Sequence, residues 1–333
     1  MKILVTGGAG FLGSYVVDAL LARGDEVTVF QRSAAPALAA KGVRVAQGSL
    51  RDGGAVGAAV AGQEAVMHVA AKAGVWGKRE DYEAINVLGT RHVLEACRTH
   101  GVRWLVHTST PSVVFTGEAF NGADESLPYG RNWLCHYAET KARAEAEALS
   151  AHSSELATCA LRPHLIWGVG DPHLLPRVIA RARAGRLRIV GEGTNRVDVT
   201  HVRNAAAAHV QALEALREGR AGGKAYFLSQ GEPVVLWDWV NTLLEEIGID
   251  PVRKRVSLKA AYRVGAVAEW VWRTARLGGE PPMTRFVATE LAKDHWFSIE
   301  AARRDLGYAP ERHPTAKGVA EYVAELRRGG MPA

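Results

Sequence analysis

Cysteine is scarce in this sequence, with three among 333 residues. Cys97, Cys135 and Cys159 lie far apart and form no Cys-x-x-Cys pair, so we expect neither a disulfide framework nor a metal site. A few unpaired cysteines are typical of proteins from a reducing compartment. We therefore predict a cytoplasmic location.

Long hydrophobic runs are absent as well. No stretch reaches about 18 uninterrupted apolar residues, the length that a membrane-spanning helix needs. At the N-terminus, Lys2-Ile3-Leu4-Val5 leads directly into a glycine turn and lacks the apolar segment of a secretory signal. The sequence therefore favours neither a spanning helix nor secretion.

Charge of one sign is not strongly in excess, because 41 lysines and arginines face 35 acidic residues and leave a formal net charge of +6. Without a concentrated basic stripe, this charge does not indicate a nucleic-acid partner and suits an anionic ligand better. Hydrophobic residues make up 47% and are mixed with 23% charged residues, which indicates a globular chain. At about 150 residues per domain, two domains are expected.

Short β-branched runs alternate with longer helical stretches through the first half of the chain. The predicted strands are Lys2–Thr6, Glu26–Gln31, Val43–Gln47, Ala65–Val69, Arg103–Ser109 and Ala157–Leu161. The predicted helices, which carry apolar residues at i, i+3, i+4 spacing, are Phe11–Arg23, Tyr82–Thr99 and His136–Ala151. Repeated βα units of this kind predict an α/β fold with a right-handed, doubly wound parallel sheet.

The pattern loosens after Pro163, where Pro172 and Pro176 interrupt it. We predict a cofactor-binding and catalytic domain over residues 1–163 and a smaller, mainly helical substrate lobe over 164–333. Two further strands are predicted at Val197–His201 and Lys224–Leu228. The sequence leaves open whether they return to the main sheet or form a small sheet of their own.

A glycine motif follows the first strand and opens the first helix. The run Gly7-Gly8-Ala9-Gly10-Phe11-Leu12-Gly13 has the spacing Gly-x-x-Gly-x-x-Gly. Glycines there allow a tight turn and let backbone N–H groups at a helix N-terminus approach a pyrophosphate. Its position directly after the first strand is the context that a dinucleotide site requires.

The end of the second strand bears on the choice of dinucleotide. NAD sites usually place a carboxylate there for the ribose hydroxyls, but this strand ends in Gln31 and Arg32. Without a carboxylate to repel a 2′-phosphate, and with a guanidinium to pair with it, NADP(H) is favoured over NAD(H). The alternative is that Arg32 is an ordinary solvated loop charge.

Candidate catalytic groups lie farther along the chain. Tyr137 and Lys141 are four residues apart at the start of a predicted helix, hence on one face. A nearby ammonium is expected to lower the pKa of the tyrosine and to prepare its hydroxyl for proton transfer. The preceding strand ends in Thr108-Ser109-Thr110, whose hydroxyls could hold a substrate oxygen. Each motif alone also fits an ordinary helix surface or a local cap.

Together these motifs resemble the extended short-chain dehydrogenases/reductases, nearest their 3β-hydroxysteroid dehydrogenase branch. The similarity continues through Ala70-Ala71, Asn86-Val87-x-Gly89-Thr90 and Leu161-Arg162-Pro163-His164-x-x-x-Gly168. It implies a Rossmann-type fold and an NAD(P)-dependent oxidoreductase. In the implied mechanism Thr110 positions the carbonyl oxygen, Tyr137 is the acid/base, Lys141 lowers its pKa and orients the nicotinamide ribose, and Asn86 supports a proton relay.

The resemblance also implies a cofactor site. Its expected members are Gly7, Gly10, Phe11, Leu12, Gly13, Arg32, Asp52, Ala70, Ala71, Lys72, Thr108, Tyr137, Lys141 and Pro163. Asp52 corresponds to the aspartate that holds adenine, whereas Ser49 stands where many relatives carry a second aspartate. Paired helices, such as Tyr82–Thr99 and His136–Ala151, imply a homodimer.

Substrate classes can be narrowed by the same resemblance. Sugar-nucleotide dehydratases carry Thr-Asp-Glu where this chain has Thr110-Pro111-Ser112, so dehydration is disfavoured. The chain is most similar to bacterial 2-alkyl-3-oxoalkanoate reductases of olefin biosynthesis, and somewhat less to sterol-4α-carboxylate 3-dehydrogenases. A hydrophobic carboxylic acid is therefore the expected substrate. The alternatives are a 3β-hydroxysteroid dehydrogenase, a sugar-nucleotide epimerase or a cofactor-binding protein without activity.

Some further features of the sequence have more than one interpretation. The amphipathic stretch Val256–Leu277 is interpreted as a lid, as a surface that rests on a membrane or a partner enzyme, or as a core helix. A basic run could meet a phosphate or carboxylate, and it comprises Arg177, Arg181, Arg183, Arg186 and Arg188. Cys135 is expected to be a pocket-wall or packing residue rather than a nucleophile, and His164 and Trp167 are candidates for the wall of the active site.

Overall fold

The computed structural model describes residues 1–329, so the last four residues of the predicted substrate lobe, 330–333, lie outside the described residues. The first seven strands are β1 (Lys2–Thr6), β2 (Glu26–Gln31), β3 (Arg44–Gln47), β4 (Ala65–His68), β5 (Trp104–Thr108), β6 (Phe120–Ala123) and β7 (Ala157–Pro163). The later ones are β8 (Ile166–Trp167), β9 (Ile189–Val190), β10 (Arg196–Val197), β11 (Thr200–His201), β12 (Ala225–Leu228), β13 (Val234–Val235), β14 (Arg255–Val256) and β15 (His295–Phe297).

Helices connect most of these strands. Those of the first two thirds are α1 (Phe11–Ala22), α2 (Pro36–Ala39), α3 (Gly53–Val60), α4 (Arg79–Tyr82), α5 (Leu88–Thr99), α6 (His136–Ser150), α7 (Leu174–Arg183) and α8 (Val202–Arg217). The remaining ones are α9 (Leu236–Glu246), α10 (Leu258–Thr274), α11 (Arg285–Glu290), α12 (Glu300–Leu306) and α13 (Thr315–Arg328). Short 3₁₀ turns cover Pro111–Val114 and Pro310–Arg312, and a π-helical turn covers Glu83–Val87.

Seven strands form one parallel sheet in the order β12-β7-β5-β4-β1-β2-β3. Side chains alternate across it, so that Ile3 and Val5 enter the core beneath α1 and α8, while Leu4 joins the core beneath α3 and α5. Both faces are buried, as parallel sheets require. The predicted doubly wound, Rossmann-type α/β fold is confirmed.

The two strands whose placement the sequence left open behave differently. Lys224–Leu228 supplies β12, which returns to the main sheet and pairs with β7 from Ala225 opposite Ala160 to Leu228 opposite Pro163. This pairing extends β7 to Pro163, two residues beyond the prediction. Val197–His201 is not one strand, because β10 pairs with β13 and β15, whereas β11 pairs with β8.

The helix predicted over Tyr82–Thr99 is also interrupted. Regular α-helix resumes only at Leu88, after the π-helical turn Glu83–Val87. Such turns insert an extra residue and often occur at functional sites. Here the turn contains Asn86, whose side chain bonds to the backbone of a neighbouring loop.

A second, mainly helical core lies in the C-terminal half. Trp167, Trp237, Trp239, Leu243 and Leu244 are buried within it. Strand β6 from the first half nevertheless pairs with β15 from the second half. In the other direction, β12 joins the main sheet beside β7, and α8 packs against that sheet. The division at residue 163 therefore stays a prediction, with segments exchanged in both directions.

A buried ion pair fixes the position of α6 against the sheet. The Arg162 guanidinium on β7 donates from Nε to Glu145 Oε2 at 3.0 Å and from Nη2 to Glu145 Oε1 at 2.5 Å. Tyr129 Oη donates to the same carboxylate at 3.0 Å. Because unpaired buried charges are costly, this network strongly restricts how α6 can shift.

Within residues 1–329, none of the helices combines the length and the apolarity that crossing a membrane would require.

Candidate active site

The glycine motif forms a tight turn between β1 and α1. Gly7 has a positive φ of 70°, and a Cβ on it would lie 3.0 Å from Ala70. Gly7 N donates to Phe30 O at 2.8 Å, and Gly10 N donates to Gly7 O at 2.9 Å. A Cβ on Gly13 would lie only 2.2 Å from Gly7 O, so a larger residue would push α1 away from the turn.

A cavity of about 1020 Å³ opens at the carboxyl ends of the parallel strands, above this turn. Strand ends in such sheets are where ligands bind. Most of the predicted cofactor-site residues line it, namely Gly7, Gly10, Phe11, Leu12, Gly13, Arg32, Ala70, Ala71, Lys72, Thr108, Tyr137, Lys141 and Pro163. Thr110 lines it too, so the cavity joins the glycine turn to the proposed catalytic groups.

Asp52 is placed differently from the prediction. Its carboxylate caps α3 by accepting a hydrogen bond from Ala55 N at 3.0 Å, as aspartates at a helix start commonly do. The cavity wall is formed instead by the preceding residues Ser49, Leu50 and Arg51. Asp52 therefore caps α3 and is not among the residues that line the cavity, and its contact with adenine stays a prediction.

The end of β2 is tied to the glycine turn through Gln31. Its Oε1 accepts a hydrogen bond from Ala9 N at 2.9 Å, and its Nε2 donates to Ser33 O at 2.7 Å. An amide thus occupies the position where a carboxylate would meet ribose hydroxyls. Arg32 lines the cavity, and its guanidinium has no ion-pair or hydrogen-bond partner within residues 1–329.

Tyr137 and Lys141 lie one turn apart near the start of α6. Lys141 is 2% exposed, and its Nζ donates to Thr108 O at 2.6 Å and lies 3.2 Å from His107 Nε2. Burial lowers the pKa of this ammonium from 10.5 to about 8, although the charge of Glu145 opposes the shift. The amine is therefore close to its titration midpoint at mildly basic pH.

Tyr137 differs from the expectation in its protonation. Burial raises the pKa of its hydroxyl from 10 to about 12, while a hydrogen bond with the Thr110 side chain lowers it. Lys141 does not bring the pKa below the ordinary value, because desolvation of the phenolate outweighs the other influences. At neutral pH the hydroxyl keeps its proton, which is the form needed to donate it.

The hydroxyls after β5 are arranged by a 3₁₀ turn. Thr110 caps Pro111–Val114, with its Oγ1 accepting from Ser112 N at 3.3 Å and donating to Ser112 Oγ at 3.3 Å. Ser109 is buried and lines the cavity, and its Oγ has no hydrogen-bond partner within residues 1–329. Because buried hydroxyls are normally satisfied, this atom and the glycine cradle fit a polar ligand such as a dinucleotide.

Asn86 is engaged with the protein itself. Its Oδ1 accepts from Lys72 N at 2.8 Å, and its Nδ2 donates to Lys72 O at 3.2 Å and to Thr140 Oγ1 at 3.0 Å. These bonds hold the loop after β4 against α6, rather than joining the side chain to Tyr137 or Lys141. Asn86 is thus a positioning residue here, and its part in a proton relay stays a prediction.

A histidine that sequence reasoning missed lies next to Lys141. His107 accepts the Nζ contact described above, and its ring lies 5.3 Å from that of His68. His68 bonds to Thr6 Oγ1 at 2.9 Å and to Thr90 Oγ1 at 3.0 Å. Burial lowers the pKa of both histidines well below 6.5, so both are neutral and can accept a hydrogen bond from an ammonium.

A signal for these histidines was present in the sequence. His68 and His107 each occur among apolar strand residues, and they stand opposite each other in the register of β4 and β5.

Thr108, expected at the cofactor, bonds through its Oγ1 to His209 Nε2 on α8 at 2.7 Å. Its backbone oxygen receives Lys141, so Thr108 serves the site through its main chain.

An apolar wall lies on the other side of Tyr137. Val75, Leu134, Phe286 and Val287 pack around it in one cluster with Phe115 and Cys135. Burial raises the pKa of the Cys135 thiol to about 12, so this residue is no nucleophile at neutral pH, as predicted. This cluster gives Tyr137 an apolar environment beside the cavity that it lines.

The weak candidates for the wall are wrong. His164 lies behind the cavity, where its Nε2 is 2.8 Å from His295 Nδ1, and Trp167 is fully buried in the second core. Pro163, Leu165 and Ile166 line the cavity instead. In the basic run, Arg177 pairs with Glu280 at 2.8 Å, away from the cavity.

Comparison with known proteins identifies the family to which the chain belongs. The 3-beta hydroxysteroid dehydrogenase/isomerase family matches residues 4–260, which include the glycine turn, Tyr137 and Lys141. The chain belongs to this family. The resemblance inferred from the motifs is confirmed, and the chain is an NAD(P)-dependent oxidoreductase by family.

Individual relatives extend the family match over most of the chain. A 2-alkyl-3-oxoalkanoate reductase of Stenotrophomonas maltophilia is 52% identical over 317 residues, covering 93% of this chain and 95% of the relative. The protein of that name from Shewanella oneidensis is 46% identical, covering 92% and 81%. A 3-beta-hydroxysteroid dehydrogenase of Mycolicibacterium neoaurum is 34% identical, covering 93% and 87%.

Solved structures of the family fold are similar along their whole length. The crystal structure of gox2253 has a TM-score of 0.81 at 27% identity and covers 100% of this chain and 99% of its own. MoeE5 in complex with UDP-glucose and NAD has a TM-score of 0.77 at 26% identity, with 99% of each chain covered. The fold therefore includes relatives that bind a pyridine dinucleotide.

Proposed function

We propose that this protein is an NAD(P)H-dependent reductase of 2-alkyl-3-oxoalkanoic acids, which converts a β-keto acid into a β-hydroxy acid. The observation that carries the proposal is the meeting of Tyr137, Lys141 and Thr110 in the cavity that contains the glycine turn. Burial, which raises the pKa of Tyr137 to about 12, favours the protonated hydroxyl that a reduction needs. The two 2-alkyl-3-oxoalkanoate reductases at 52% and 46% identity support this choice of substrate.

A dinucleotide held at the glycine turn and by the lining of the cavity would supply the hydride for the C3 carbonyl carbon. Tyr137 donates its proton to the carbonyl oxygen, while the Thr110 hydroxyl holds that oxygen in place. Lys141, fixed by Thr108 O and His107, carries a positive charge beside the site and stabilises the phenolate that Tyr137 leaves behind. At neutral pH Tyr137 keeps its proton and Lys141 is an ammonium, and these protonation states suit reduction rather than oxidation.

The proposed cofactor is NADP(H) in preference to NAD(H). Arg32 lines the cavity and has no ion-pair or hydrogen-bond partner among residues 1–329, and Gln31 places no carboxylate where a 2′-phosphate would lie. A guanidinium suits a phosphate because it donates two parallel hydrogen bonds. The ratio of kcat/KM for NADPH and NADH tests this choice, and a clear preference for NADH would contradict it.

The proposed substrate is a small hydrophobic carboxylic acid. The apolar wall around Tyr137, formed by Val75, Leu134, Phe286 and Val287, supports an alkyl-bearing molecule. NADPH consumption with a 2-alkyl-3-keto acid tests the assignment, with a Tyr137→Phe variant as the control for non-enzymatic decay of the keto acid.

A second candidate is the oxidation of a 3β-hydroxysteroid or of a sterol-4α-carboxylate. The family match and the relative from Mycolicibacterium neoaurum favour it. Incubation with NADP⁺ and either sterol tests this candidate. Turnover of a sterol without any reduction of the keto acid would replace the first proposal.

We also propose a homodimer and a cytoplasmic location. An ion pair at 2.6 Å between Arg91 on α5 and Glu147 on α6 holds together the two helices expected at a dimer interface. The three cysteines are free thiols, which supports a reducing compartment. Sedimentation of the purified protein and fractionation of the source cells test these two points, and a monomer or a secreted form would contradict them.

A further inference from the structure

Of the described residues, four lysines and arginines line the catalytic cavity, and their surroundings differ. Arg51 forms an ion pair with Asp81. Lys141 is buried and bonded to the protein, as described above. Arg32 lies directly after β2, where the 2′-phosphate of a dinucleotide is proposed. Lys72 is the remaining cation, and the proposed reaction gives it no role.

The Lys72 ammonium lacks an anionic partner of its own. Among residues 1–329 its Nζ has neither an ion pair nor a hydrogen bond, and it lies 5.0 Å from the centre of the Tyr82 ring. Asp81 is already neutralised, since its pKa is lowered chiefly by a hydrogen bond from Arg51 and less by the charge of Lys72. A cation–π contact orients an ammonium without using its three N–H donors. Lys72 can therefore still bind an anion in the cavity.

The backbone of Lys72 is held by the side chain of Asn86. Its Oδ1 accepts from Lys72 N at 2.8 Å, and its Nδ2 donates to Lys72 O at 3.2 Å. The same Nδ2 group donates to Thr140 Oγ1 on α6 at 3.0 Å. The π-helical turn that contains Asn86 thus sets the position from which Lys72 faces the cavity.

A chain of hydrogen bonds anchors the same loop at Ala70. Thr90 Oγ1 donates to Asn86 O at 2.6 Å, so its oxygen accepts from His68 Nε2 at 3.0 Å. Burial lowers the pKa of His68 to about 3, and the neutral ring then accepts at Nδ1 from Thr6 Oγ1 at 2.9 Å. Thr6 Oγ1 in turn accepts from Ala70 N at 3.0 Å. The loop that carries the free ammonium is therefore fixed at two points.

Lys72 lies at the catalytic end of the cavity. It belongs to the loop after β4, which pairs in parallel with β5, and Thr110 follows β5. Arg32 follows β2, and β1 separates β2 from β4. The Tyr82 ring, which contacts the Lys72 ammonium, stands 6.3 Å from the ring of His136, the residue before the proton donor. The unpartnered ammonium and the reacting groups therefore share one end of the cavity.

We propose that Lys72 binds the carboxylate of the substrate and so selects a 3-oxo acid over a neutral ketone or ester. This assignment rests on the proposed reductase function. In such an acid a single carbon separates the carboxylate from the C3 carbonyl, so the two groups must be bound close together. Thr110 and Tyr137 hold the carbonyl oxygen, and the ammonium on the neighbouring loop gives the carboxylate a charge-assisted hydrogen bond. The fixed backbone lowers the cost of ordering this contact.

The experiment compares a 2-alkyl-3-oxoalkanoic acid with its methyl ester, which keeps the ketone and the alkyl chains but has no charge. We measure kcat/KM for both compounds at saturating NADPH in the wild type, K72M and K78M. Lys78 is an exposed lysine farther along the same loop and does not line the cavity, so K78M makes the matched change in charge. We expect the wild type to prefer the acid, and K72M to lower the acid-to-ester ratio by at least about tenfold. K78M should keep the wild-type ratio.

A conservative variant and the cofactor separate carboxylate binding from other roles of Lys72. K72R retains a cation and should recover most of the lost ratio. The dissociation constant of NADPH, measured by fluorescence titration, should be the same in all these proteins. Equal loss for acid and ester in K72M, with weaker NADPH binding, would assign Lys72 to the dinucleotide and overturn the proposal. A wild type without preference for the acid, an unchanged ratio in K72M, or the same loss in K78M would also contradict it.

A binding measurement distinguishes failure of this assignment from failure of the reductase function. If the wild type reduces neither compound, the proposed function is wrong. Titration calorimetry of the protein with NADP⁺ and a 2-alkylalkanoic acid, which has the carboxylate but no ketone, then tests Lys72 alone. We expect binding to the wild type and to K78M, and at least about tenfold weaker binding to K72M. Equal affinity of the wild type and K72M, or no binding, would show that Lys72 is not the carboxylate site.

Discussion

Helices α6 and α10 break the usual rule of burial in opposite directions. Helix α6 buries a lysine ammonium, Lys141, among neutral partners, whereas α10 exposes Trp270 to solvent. Both arrangements are unfavourable for an isolated fold, since a buried charge loses its hydration and an exposed indole is not removed from water. The difference teaches that a departure from the burial rule has a visible reason only in α6, where the buried charge of Lys141 lines the same cavity as the Tyr137 hydroxyl.

The largest effect is expected at Tyr137. Tyr137→Phe removes the proton donor while keeping the ring in the apolar cluster, so kcat should fall by about 10²- to 10⁴-fold. Dinucleotide affinity, measured by fluorescence titration, should stay nearly unchanged. The control Tyr322→Phe alters a buried tyrosine in the second core and should keep full activity. Full activity of the Tyr137 variant would show that α6 does not supply the proton donor, and the comparison of α6 with α10 would lose its functional meaning.

Lys141→Met tests whether the buried charge serves chemistry at the expense of stability. We expect kcat/KM to fall by about 10²-fold or more, while the free energy of unfolding at pH 7 stays equal or rises. The pKa of Lys141 is lowered from 10.5 in the unfolded chain to about 8 in the folded protein. Below pH 8 both states carry the ammonium, and its burial lowers the free energy of unfolding of the wild type.

The sign of the pH dependence follows from proton binding. Between pH 8 and 10.5 the unfolded wild type binds the proton that the folded state has released, so wild-type stability rises with pH. Any advantage of the methionine variant should therefore be full below pH 8 and vanish by about pH 10.5. Urea denaturation at pH 7 and pH 10 measures it, and a large loss of stability at pH 7 would contradict the expectation.

Arg32→Ala sharpens the assignment of the first half to a phosphate-bearing dinucleotide. Losing the guanidinium should reduce the ratio of kcat/KM for NADPH over NADH by about tenfold, since a charged hydrogen-bonding pair is lost. Arg98→Ala, at an exposed position outside the cavity, serves as the control. An unchanged ratio in the Arg32 variant would identify Arg32 as a solvated loop charge.

His107 should set the pH at which Lys141 acts. Reduction is expected to decline as the pH rises through about 8, where Lys141 loses its proton while Tyr137 keeps its own. His107→Leu removes an acceptor that favours the ammonium, so this decline should move to lower pH by about one unit. His107→Gln retains an acceptor and should restore the wild-type profile. Identical profiles for all three proteins would show that His107 only fills space.

The smallest effect is expected at the exposed tryptophan. Trp270→Ser should change the free energy of unfolding by less than about 0.5 kcal/mol, because the side chain is 65% exposed. Trp237→Ala, in the second core of the same half, should cost about 3–5 kcal/mol. A large loss at Trp270 would mean that the outer face of α10 stabilises the fold and would weaken the contrast with α6.

Most of the nucleotide-binding half could be predicted because its signals are local. The glycine turn, the strand boundaries and the Tyr137–Lys141 spacing each depend on residues close in sequence. The adenine contact of Asp52 stays a prediction, since the same residue type caps helices and binds ligands, and only the fold shows that this carboxylate caps α3. The mainly helical second half offered fewer such signals, and the separation of β10 from β11 depends on partners more than 30 residues away.

The sequence by itself determined the α/β class, the glycine turn and the pair Tyr137 and Lys141, because helix and strand periodicities and short motifs are encoded in neighbouring residues. The tertiary structure decided the protonation of that pair. Burial raises the pKa of Tyr137 and lowers that of Lys141, and burial is contributed by side chains distant along the chain, including His107 and Phe286. Only packing also revealed which face of α10 stays exposed, since amphipathic periodicity identifies two faces without saying what covers either of them.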